Sequence, residues 1–247
     1  QAIRKSLLDF RKSGKWIVAY GDSYTQATYY IASVADKVML NPQGVIDWHG
    51  IASQQFYLKD LMAKFGVRMQ LAKVGAYKSA PEMFTADKMS EPNREQVTAY
   101  ITGVWQNILK EVSESRNISK EQLNLYADKL IMFDDPQNYL KYKMVDKLAY
   151  TDEVKDVVKQ MMKAGEDDDL NKVAISDMAS VKDKRDKGDE IAVYYAYGDV
   201  VDRAAPMSNG SCIDAQKVCK DLGELMDDDD VKAVVLRINT GGGSAYA

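Results

Sequence analysis

Residues 15–44 read KWIVAYGDSYTQATYYIASVADKVMLNPQG, and this stretch decides the fold. Residues 15–20 are rich in β-branched and aromatic side chains, which predicts a buried strand, and residues 24–36 then predict a helix with small residues along it. Residues 37–40 predict a second strand, which the turn at residues 41–44 closes. A strand, a helix and a strand in about 25 residues form a parallel βαβ unit, so the sequence predicts an α/β fold.

The rest of the chain continues this alternation on both sides of a charged stretch. Residues 166–189 are rich in charged residues and poor in aromatic ones, which predicts a solvated connector. We therefore expect an N-terminal domain at residues 1–165 and the start of a second α/β domain at residues 190–247. Helices are predicted at residues 1–13, 53–65, 92–115, 119–129, 135–141, 152–164 and 211–225, strands at residues 67–74, 191–197 and 231–238, and a loop at residues 198–210.

Composition excludes several classes of protein. The 247 residues are 46% hydrophobic and 28% charged, which is ordinary for a globular protein, and the net charge of −4 argues against a nucleic-acid partner. The longest apolar runs are too short to cross a bilayer. The chain opens without Met or a leader and closes inside a glycine motif, so we expect an internal fragment. The acidic runs at residues 167–169 and 227–230 are interpreted as solvated turns, and no metal is expected.

The cysteine and histidine content limits the available chemistry. Cys212 and Cys219 stand seven residues apart in a predicted helix, which separates them by about 10 Å. A disulfide tolerates a Cα separation of only about 4.4–6.8 Å, so we expect neither a bridge between them nor a cysteine-rich zinc site. His49 is the single histidine, so a Ser-His-Asp or Cys-His device would have to use it. A polar loop residue beside Trp48 is the simpler interpretation.

Residues 239–244, NTGGGS, follow the last predicted strand and have four interpretations. A phosphate cradle would need the spacing GxxxxGK[ST] or GxGxxG, and neither matches. A nucleophile elbow, Gly-x-Ser-x-Gly, is nearly matched around Ser244, but Tyr246 stands where the final glycine should be. An oxyanion hole fits best, in which the amide of Gly242 or Gly243 would hold the negative oxygen of a tetrahedral intermediate. A tight turn without chemistry remains open.

Lys78 is the candidate base. It lies in GAYKSAPE, residues 75–82, directly after the predicted strand at residues 67–74 and among small side chains. Burial in an apolar cleft would penalise its ammonium form, leaving a free amine that can act as a general base. Most lysines lie on the surface and the chain has 33 basic residues, so this position alone does not single out Lys78.

Four segments, in this order, resemble a known family. They cover residues 21–33, 41–50, 74–90 and 231–244 and read GDSYTQATYYIAS, NPQGVIDWHG, VGAYKSAPEMFTADKMS and VKAVVLRINTGGGS. The resemblance is to the signal peptide peptidase A family, also called protease IV, in its long two-domain bacterial form. It implies two tandem domains of Clp-protease/crotonase fold, with parallel sheets and flanking helices, both incomplete in this chain.

The resemblance also implies a role for particular residues. The family's general-base lysine falls on Lys78, and its oxyanion glycines fall on Gly242 or Gly243. The nucleophilic serine is expected beyond the end of this chain, so Ser244 belongs to the glycine motif and is not the nucleophile. In the first domain the corresponding position is Gln26, which cannot act as a nucleophile. The family's NSPGGS reads NTGGGS here, and loss of the proline would add backbone freedom at Gly241.

The implied function is that of a serine endopeptidase with a Ser/Lys dyad, which degrades cleaved signal peptides and other peptides without a cofactor. The resemblance places the full-length protein in the bacterial inner membrane, facing the periplasm, as a homo-oligomer that we expect to be a tetramer. The fragment alone would then be inactive. Two alternatives stay open, a crotonase-type acyl-CoA enzyme, which would have no use for Lys78, and a non-catalytic scaffold domain.

Overall fold

The computed structural model describes residues 1–165, 168–178, 181, 189–204 and 211–247. It separates into two compact units, Gln1–Leu170 and Asn171–Ala247. Of the predicted connector at residues 166–189, residues 168–178, 181 and 189 are described and the others lie outside the described residues. The prediction of tandem Clp-protease/crotonase domains with that boundary stays a prediction.

The predicted βαβ unit forms the centre of the first unit. β1 (Val18–Gly21) pairs in parallel with β2 (Lys37–Leu40), which pairs in parallel with β3 (Lys147–Leu148). The parallel sheet predicted from residues 15–44 is thus confirmed. The helices of this unit are α1 (Ala2–Lys12), α2 (Gln26–Ala32), α3 (Lys59–Lys64), α4 (Glu82–Thr85), α5 (Glu91–Arg116), α6 (Lys120–Asp128), α7 (Gln137–Lys141) and α8 (Val154–Met162), with 3₁₀ turns at Ile131–Phe133 and Thr151–Glu153.

Side-chain caps fix where several of these helices begin. The hydroxyl of Thr25 accepts a hydrogen bond from the Thr28 N–H at 3.2 Å at the start of α2. Ser90 and Ser119 do the same at the starts of α5 and α6. Because each cap satisfies a backbone donor that the helix itself leaves unpaired, these sequence positions define the helix starts. At its other end, α5 stops at Asn117, whose φ of 52° is left-handed.

The core of the first unit lies between β2 and the helices around it. Trp48 is fully buried, its indole N–H donates to the Leu123 carbonyl at 2.8 Å, and its ring contacts those of Tyr29 and Trp105. Tyr29 is also fully buried, and its hydroxyl donates to the Met144 carbonyl at 2.8 Å. Burial raises the pKa of Tyr29 far above its ordinary value. This tyrosine is therefore a packed residue of the core.

Asp146 ties the end of α5 to the sheet. Its carboxylate accepts a hydrogen bond from the Val38 N–H at 2.7 Å and two from the Arg116 guanidinium at 2.8 and 3.0 Å. Burial alone would raise the pKa of Asp146, but these hydrogen bonds outweigh it and hold the pKa below its ordinary value. The long helix is thus fixed against the same sheet that carries the core.

The second unit contains two pairs of parallel strands. β4 (Glu190–Tyr197) pairs with β7 (Val231–Asn239), and β5 (Asp199–Val201) pairs with β6 (Cys212–Asp214). α9 (Ile175–Met178) precedes these strands, and α10 (Ala215–Met226) connects β6 to β7. Both faces of β7 are largely exposed. Among the described helices of either unit, none is both long enough and apolar enough to span a membrane.

Several local predictions are wrong. The helix expected at residues 53–65 is only the short α3, and no strand forms at residues 67–74, because no neighbouring strand pairs with that backbone. The expected loop at residues 198–210 contains β5, and its residues 205–210 lie outside the described part. Cys212 lies on β6 and not in a helix with Cys219; both thiols are free.

Candidate active site

Lys78 lies near the end of an irregular stretch, residues 51–81, which we call the Lys78 segment. Apart from α3, this segment has no helix or strand, and it exposes large apolar side chains. Phe56 is 68%, Phe65 77% and Val74 89% exposed. The predicted setting of Lys78 at the end of a strand is therefore wrong, because the apolar run before it neither pairs with another strand nor enters the core.

The side chain of Lys78 is exposed in this chain. The described residues therefore do not form the dry apolar cleft expected around its amine. Its neighbours are nevertheless attached to α5. The hydroxyl of Tyr77 donates to the Glu95 carboxylate at 2.8 Å, and the Gln96 amide donates to the Ser79 hydroxyl at 3.4 Å. Contacts on both sides of Lys78 thus hold its backbone beside the first turns of α5.

Four residues after Lys78, Glu82 begins α4 and is buried, with 4% of its surface exposed. Its carboxylate accepts hydrogen bonds from the Ser90 hydroxyl at 2.5 Å, the Ser90 N–H at 3.2 Å and the Asn93 side-chain amide at 3.0 Å. The Ser90 hydroxyl, followed by the backbone and Asn93 bonds, lowers the pKa of Glu82 against the opposing effect of burial. We call Glu82, Ser90 and Asn93 the α5 anchor.

The α5 anchor is not predicted from the sequence. A signal for part of it exists, because Ser90 followed by Glu91 and Pro92 is a typical helix start. Nothing in the sequence indicates that Glu82, eight residues earlier, returns to this cap. That contact depends on the path of the chain between the two helices and emerges only from the structure.

Gln26 is the residue of the first domain that corresponds to the expected serine of the second domain. Its side chain makes three hydrogen bonds with the loop at residues 49–50. Its side-chain oxygen accepts hydrogen bonds from the N–H groups of His49 and Gly50, at 3.2 and 2.9 Å, and its amide nitrogen donates to the Gly50 carbonyl at 3.0 Å. Gly50 has a φ of 85°, which favours glycine. Gln26 therefore fixes the loop that leads into the Lys78 segment, and it offers no nucleophilic oxygen.

His49 is a partly exposed loop residue whose Nδ1 lies 2.6 Å from the Asp47 carboxylate. None of its described contacts involves a serine or a cysteine. The described residues therefore provide no Ser-His-Asp or Cys-His arrangement. They also contain no group of three or more His, Cys, Asp or Glu side chains that could hold a metal; Asp167, in one of the acidic runs, lies outside the described part.

The glycine turn that follows β7 has an unusual backbone. Gly242 and Gly243 have φ values of 124° and 150°, and a Cβ on Gly243 would lie 2.2 Å from the Val200 carbonyl oxygen. The Val200 N–H donates to the Gly242 carbonyl, and the Ser244 N–H donates to the Val200 carbonyl, both at 2.9 Å. This pairing with β5 needs glycine at position 243 for both steric and conformational reasons.

The two oxyanion candidates differ in how their N–H groups are used. The Gly242 N–H donates to the Thr240 hydroxyl at 3.0 Å, whereas no described residue accepts a hydrogen bond from the Gly243 N–H. The hydroxyl of Ser244 accepts from the N–H groups of Tyr246 and Ala247, each at 3.2 Å, as in a local turn. Of the two glycines, Gly243 is thus the better placed to donate to an oxyanion.

A comparison with protein-family models matches residues 9–165 to peptidase family S49. Among curated proteins, the chain is 37% identical over 252 aligned positions to "Protease 4" of Salmonella typhi and 31% identical over 254 positions to "Protease 4" of Haemophilus influenzae. These alignments cover 99% and 96% of this chain but 40% of each relative. A third relative is "Serine protease SPPA, chloroplastic" of Arabidopsis thaliana, 26% identical over all of this chain and 37% of the relative. The chain thus spans about two fifths of the length of these relatives.

Proposed function

The chain belongs to peptidase family S49, the signal peptide peptidase A family, and from that premise we propose that the full-length protein is a serine endopeptidase with a Ser/Lys dyad. Lys78 is its general base. The observation that carries this assignment is the attachment of Lys78 to α5, through Tyr77 and Ser79 beside it and Glu82 after it. A lysine whose only role is solubility needs no such fixation, whereas a base must be held at a defined place.

The proposed reaction is acyl transfer. The uncharged amine of Lys78 takes the proton of the serine hydroxyl as the serine oxygen attacks the peptide carbonyl. The N–H of Gly243 donates to the oxygen that becomes negative, and the Lys78 ammonium returns its proton to the leaving amine. Water then hydrolyses the acyl-enzyme, with Lys78 again taking a proton. Gln26 and Ser244 are engaged in local backbone contacts. Following the family resemblance, we propose that the nucleophilic serine lies beyond the end of this chain.

The Lys78 amine must lose water for this reaction, and exposed apolar residues of the same segment suggest how. Phe65, Val74 and Tyr77 leave 77%, 89% and 53% of their surfaces exposed. Soluble proteins rarely leave such residues uncovered in a contiguous stretch. We propose that the remainder of the polypeptide and neighbouring copies cover the Lys78 segment, in a homotetramer, and thereby exclude water from the amine.

The proposed substrates are cleaved signal peptides and other peptides, and the proposed location is the periplasmic face of the bacterial inner membrane. Both rest on the family resemblance. The glycine turn and Lys78 provide the chemistry of amide cleavage, but the described residues contain no feature that selects a peptide sequence.

A serine-directed fluorophosphonate probe tests the reaction class on the full-length protein. We expect one serine outside residues 1–247 to be labelled, as identified by mass spectrometry of the digest, and we expect no binding of a non-hydrolysable acyl-CoA analogue. Labelling should be lost when the protein is first incubated with a peptide aldehyde, which occupies the same site. Failure of the active protein to label, or saturable binding of the acyl-CoA analogue, would contradict the proposal and favour crotonase-type chemistry.

A further inference from the structure

The α5 anchor is an unusual arrangement for a carboxylate. Glu82 is 4% and Asn93 2% exposed, and none of the described hydrogen-bond donors to Glu82 is a lysine or an arginine. A buried carboxylate is costly unless its oxygens are hydrogen-bonded, and here three donors at the beginning of a 26-residue helix satisfy it. The Asn93 amide also donates to the Gln55 side chain at 3.0 Å, which brings the beginning of the Lys78 segment to the same point.

The chain between Lys78 and Glu82 is short and constrained. The Glu82 N–H donates to the Ser79 carbonyl at 2.9 Å, and Pro81 limits the backbone between them. A displacement of Glu82 from the start of α5 would therefore move Lys78 with it. Residues 51–77 form no helix or strand beyond α3 and none of them is buried. On this side Lys78 is held only by polar contacts, those of Tyr77 with Glu95 and of the Lys73 ammonium with the Lys78 carbonyl.

We infer that Glu82 is a positioning residue for Lys78, acting through its hydrogen bonds to Ser90 and Asn93 at the start of α5. This inference rests on the proposed function, because it assigns Glu82 a part in placing the general base. The anchor touches neither the peptide nor the serine. Its effect is on the location of the amine, and a displacement of about 1 Å at a reacting group can cost about 100-fold in rate.

The primary test is Glu82→Gln in the full-length protein, assayed with a fluorogenic peptide. Glutamine keeps the shape but replaces one acceptor oxygen with an NH₂ group that faces donors, so the anchor loosens. We expect kcat to fall about 10- to 100-fold while KM stays within about twofold, because peptide binding does not involve the anchor. Hydrogen exchange of residues 78–82, followed by mass spectrometry, should become faster in the same variant.

Two serines provide a matched pair that separates positioning from stability. Ser90 and Ser119 both cap helices, accepting from Asn93 N–H at 3.3 Å and Gln122 N–H at 3.1 Å, but only Ser90 also bonds Glu82. Ser119→Ala should lower Tm by about 2–4 °C through loss of the cap, and Ser90→Ala should lower it somewhat more, because it also removes a donor from the buried Glu82 carboxylate. Only Ser90→Ala should lower kcat, and Ser90→Thr, which keeps the hydroxyl, should restore it.

The outcomes distinguish this inference from the proposed function. A wild-type protein that cleaves no peptide would contradict the proposed function. An active wild type with Glu82→Gln at unchanged kcat and unchanged exchange at residues 78–82 would overturn the positioning role alone. Equal losses of kcat in Ser90→Ala and Ser119→Ala would also overturn it, because the effect would then follow from helix stability.

Discussion

The sheet of the first unit and the Lys78 segment that follows it are built in opposite ways. In β2, Val38, Met39 and Leu40 are fully buried, and Trp48 just after the sheet is fully buried as well. In the Lys78 segment, Phe65 and Val74 are 77% and 89% exposed, although this segment is also rich in apolar residues. The first region is stabilised by its own contacts. The second is held mainly by polar contacts of both its ends with α4 and the start of α5.

The difference indicates where stability and chemistry reside in this chain. The core can be complete without any residue of the proposed dyad, and Lys78 is positioned by a few polar contacts on its edge. The Lys78 segment exposes apolar side chains in this chain. The proposed enzyme would need to cover the same side chains to exclude water from its general base. Mutations in the two regions should therefore affect different measurements.

The largest effect is expected for Trp48→Ala, which leaves a cavity in the core and removes the hydrogen bond to the Leu123 carbonyl. The free energy of unfolding of the first unit should fall by about 3–5 kcal/mol. All three tryptophans, Trp16, Trp48 and Trp105, lie in this unit, so urea unfolding followed by tryptophan fluorescence reports on it alone. Trp16→Ala, at a side chain that is 38% exposed, is the matched control and should cost much less.

A smaller, pH-dependent effect is expected for Asp146→Asn. At pH 7 this change weakens the contacts to Arg116 and Val38 and should cost about 1–3 kcal/mol. Because the pKa of Asp146 is lowered in the folded state, its contribution is present above about pH 4 and is lost as the pH falls through the folded value. The difference from wild type in urea unfolding should thus shrink between pH 7 and about pH 2.5.

The control for this change is Asp60→Asn, at an exposed residue of the Lys78 segment. It should leave urea unfolding nearly unchanged at either pH. An Asp146→Asn cost that stays constant down to the lowest pH would contradict the role assigned to the ionised carboxylate.

The smallest effect on this chain is expected for Phe65→Ser in the Lys78 segment, because the side chain is already 77% exposed. The free energy of unfolding should change by less than about 0.5 kcal/mol. In the full-length protein the same change should weaken the assembly, which sedimentation velocity would detect as smaller species at micromolar concentration. An assembly unaffected by Phe65→Ser would indicate that this surface stays uncovered.

The parts of the fold that the sequence predicts are those with strong local signals. Residues 15–40 alternate between an apolar run, a capped helix and a second apolar run, and all three elements form. The run at residues 67–74 has a similar composition and forms no strand, because a strand needs hydrogen-bonded neighbours that local sequence cannot guarantee. β5 and β6 are not predicted from the sequence, because each strand forms only by pairing with residues that are distant along the chain.

The candidate site was predictable to a similar extent. Lys78 and the glycine turn are short motifs that a resemblance can identify. The separate use of the Gly242 and Gly243 N–H groups, the contact of Gln26 with Gly50 and the return of Glu82 to Ser90 depend on how loops fold in three dimensions. These contacts become apparent only once the backbone is placed.

The most direct test of the account compares Lys78→Met with Lys88→Met in the full-length protein. Lys88 is an exposed lysine in the same family-like segment, residues 74–90, and it has no role in the proposed reaction. If Lys78 is the base, Lys78→Met should lower kcat/KM for peptide cleavage by about 1,000-fold or more with Tm unchanged, while Lys88→Met stays within about twofold of wild type. Peptide cleavage by a folded Lys78→Met protein at more than about a tenth of the wild-type rate would contradict the account.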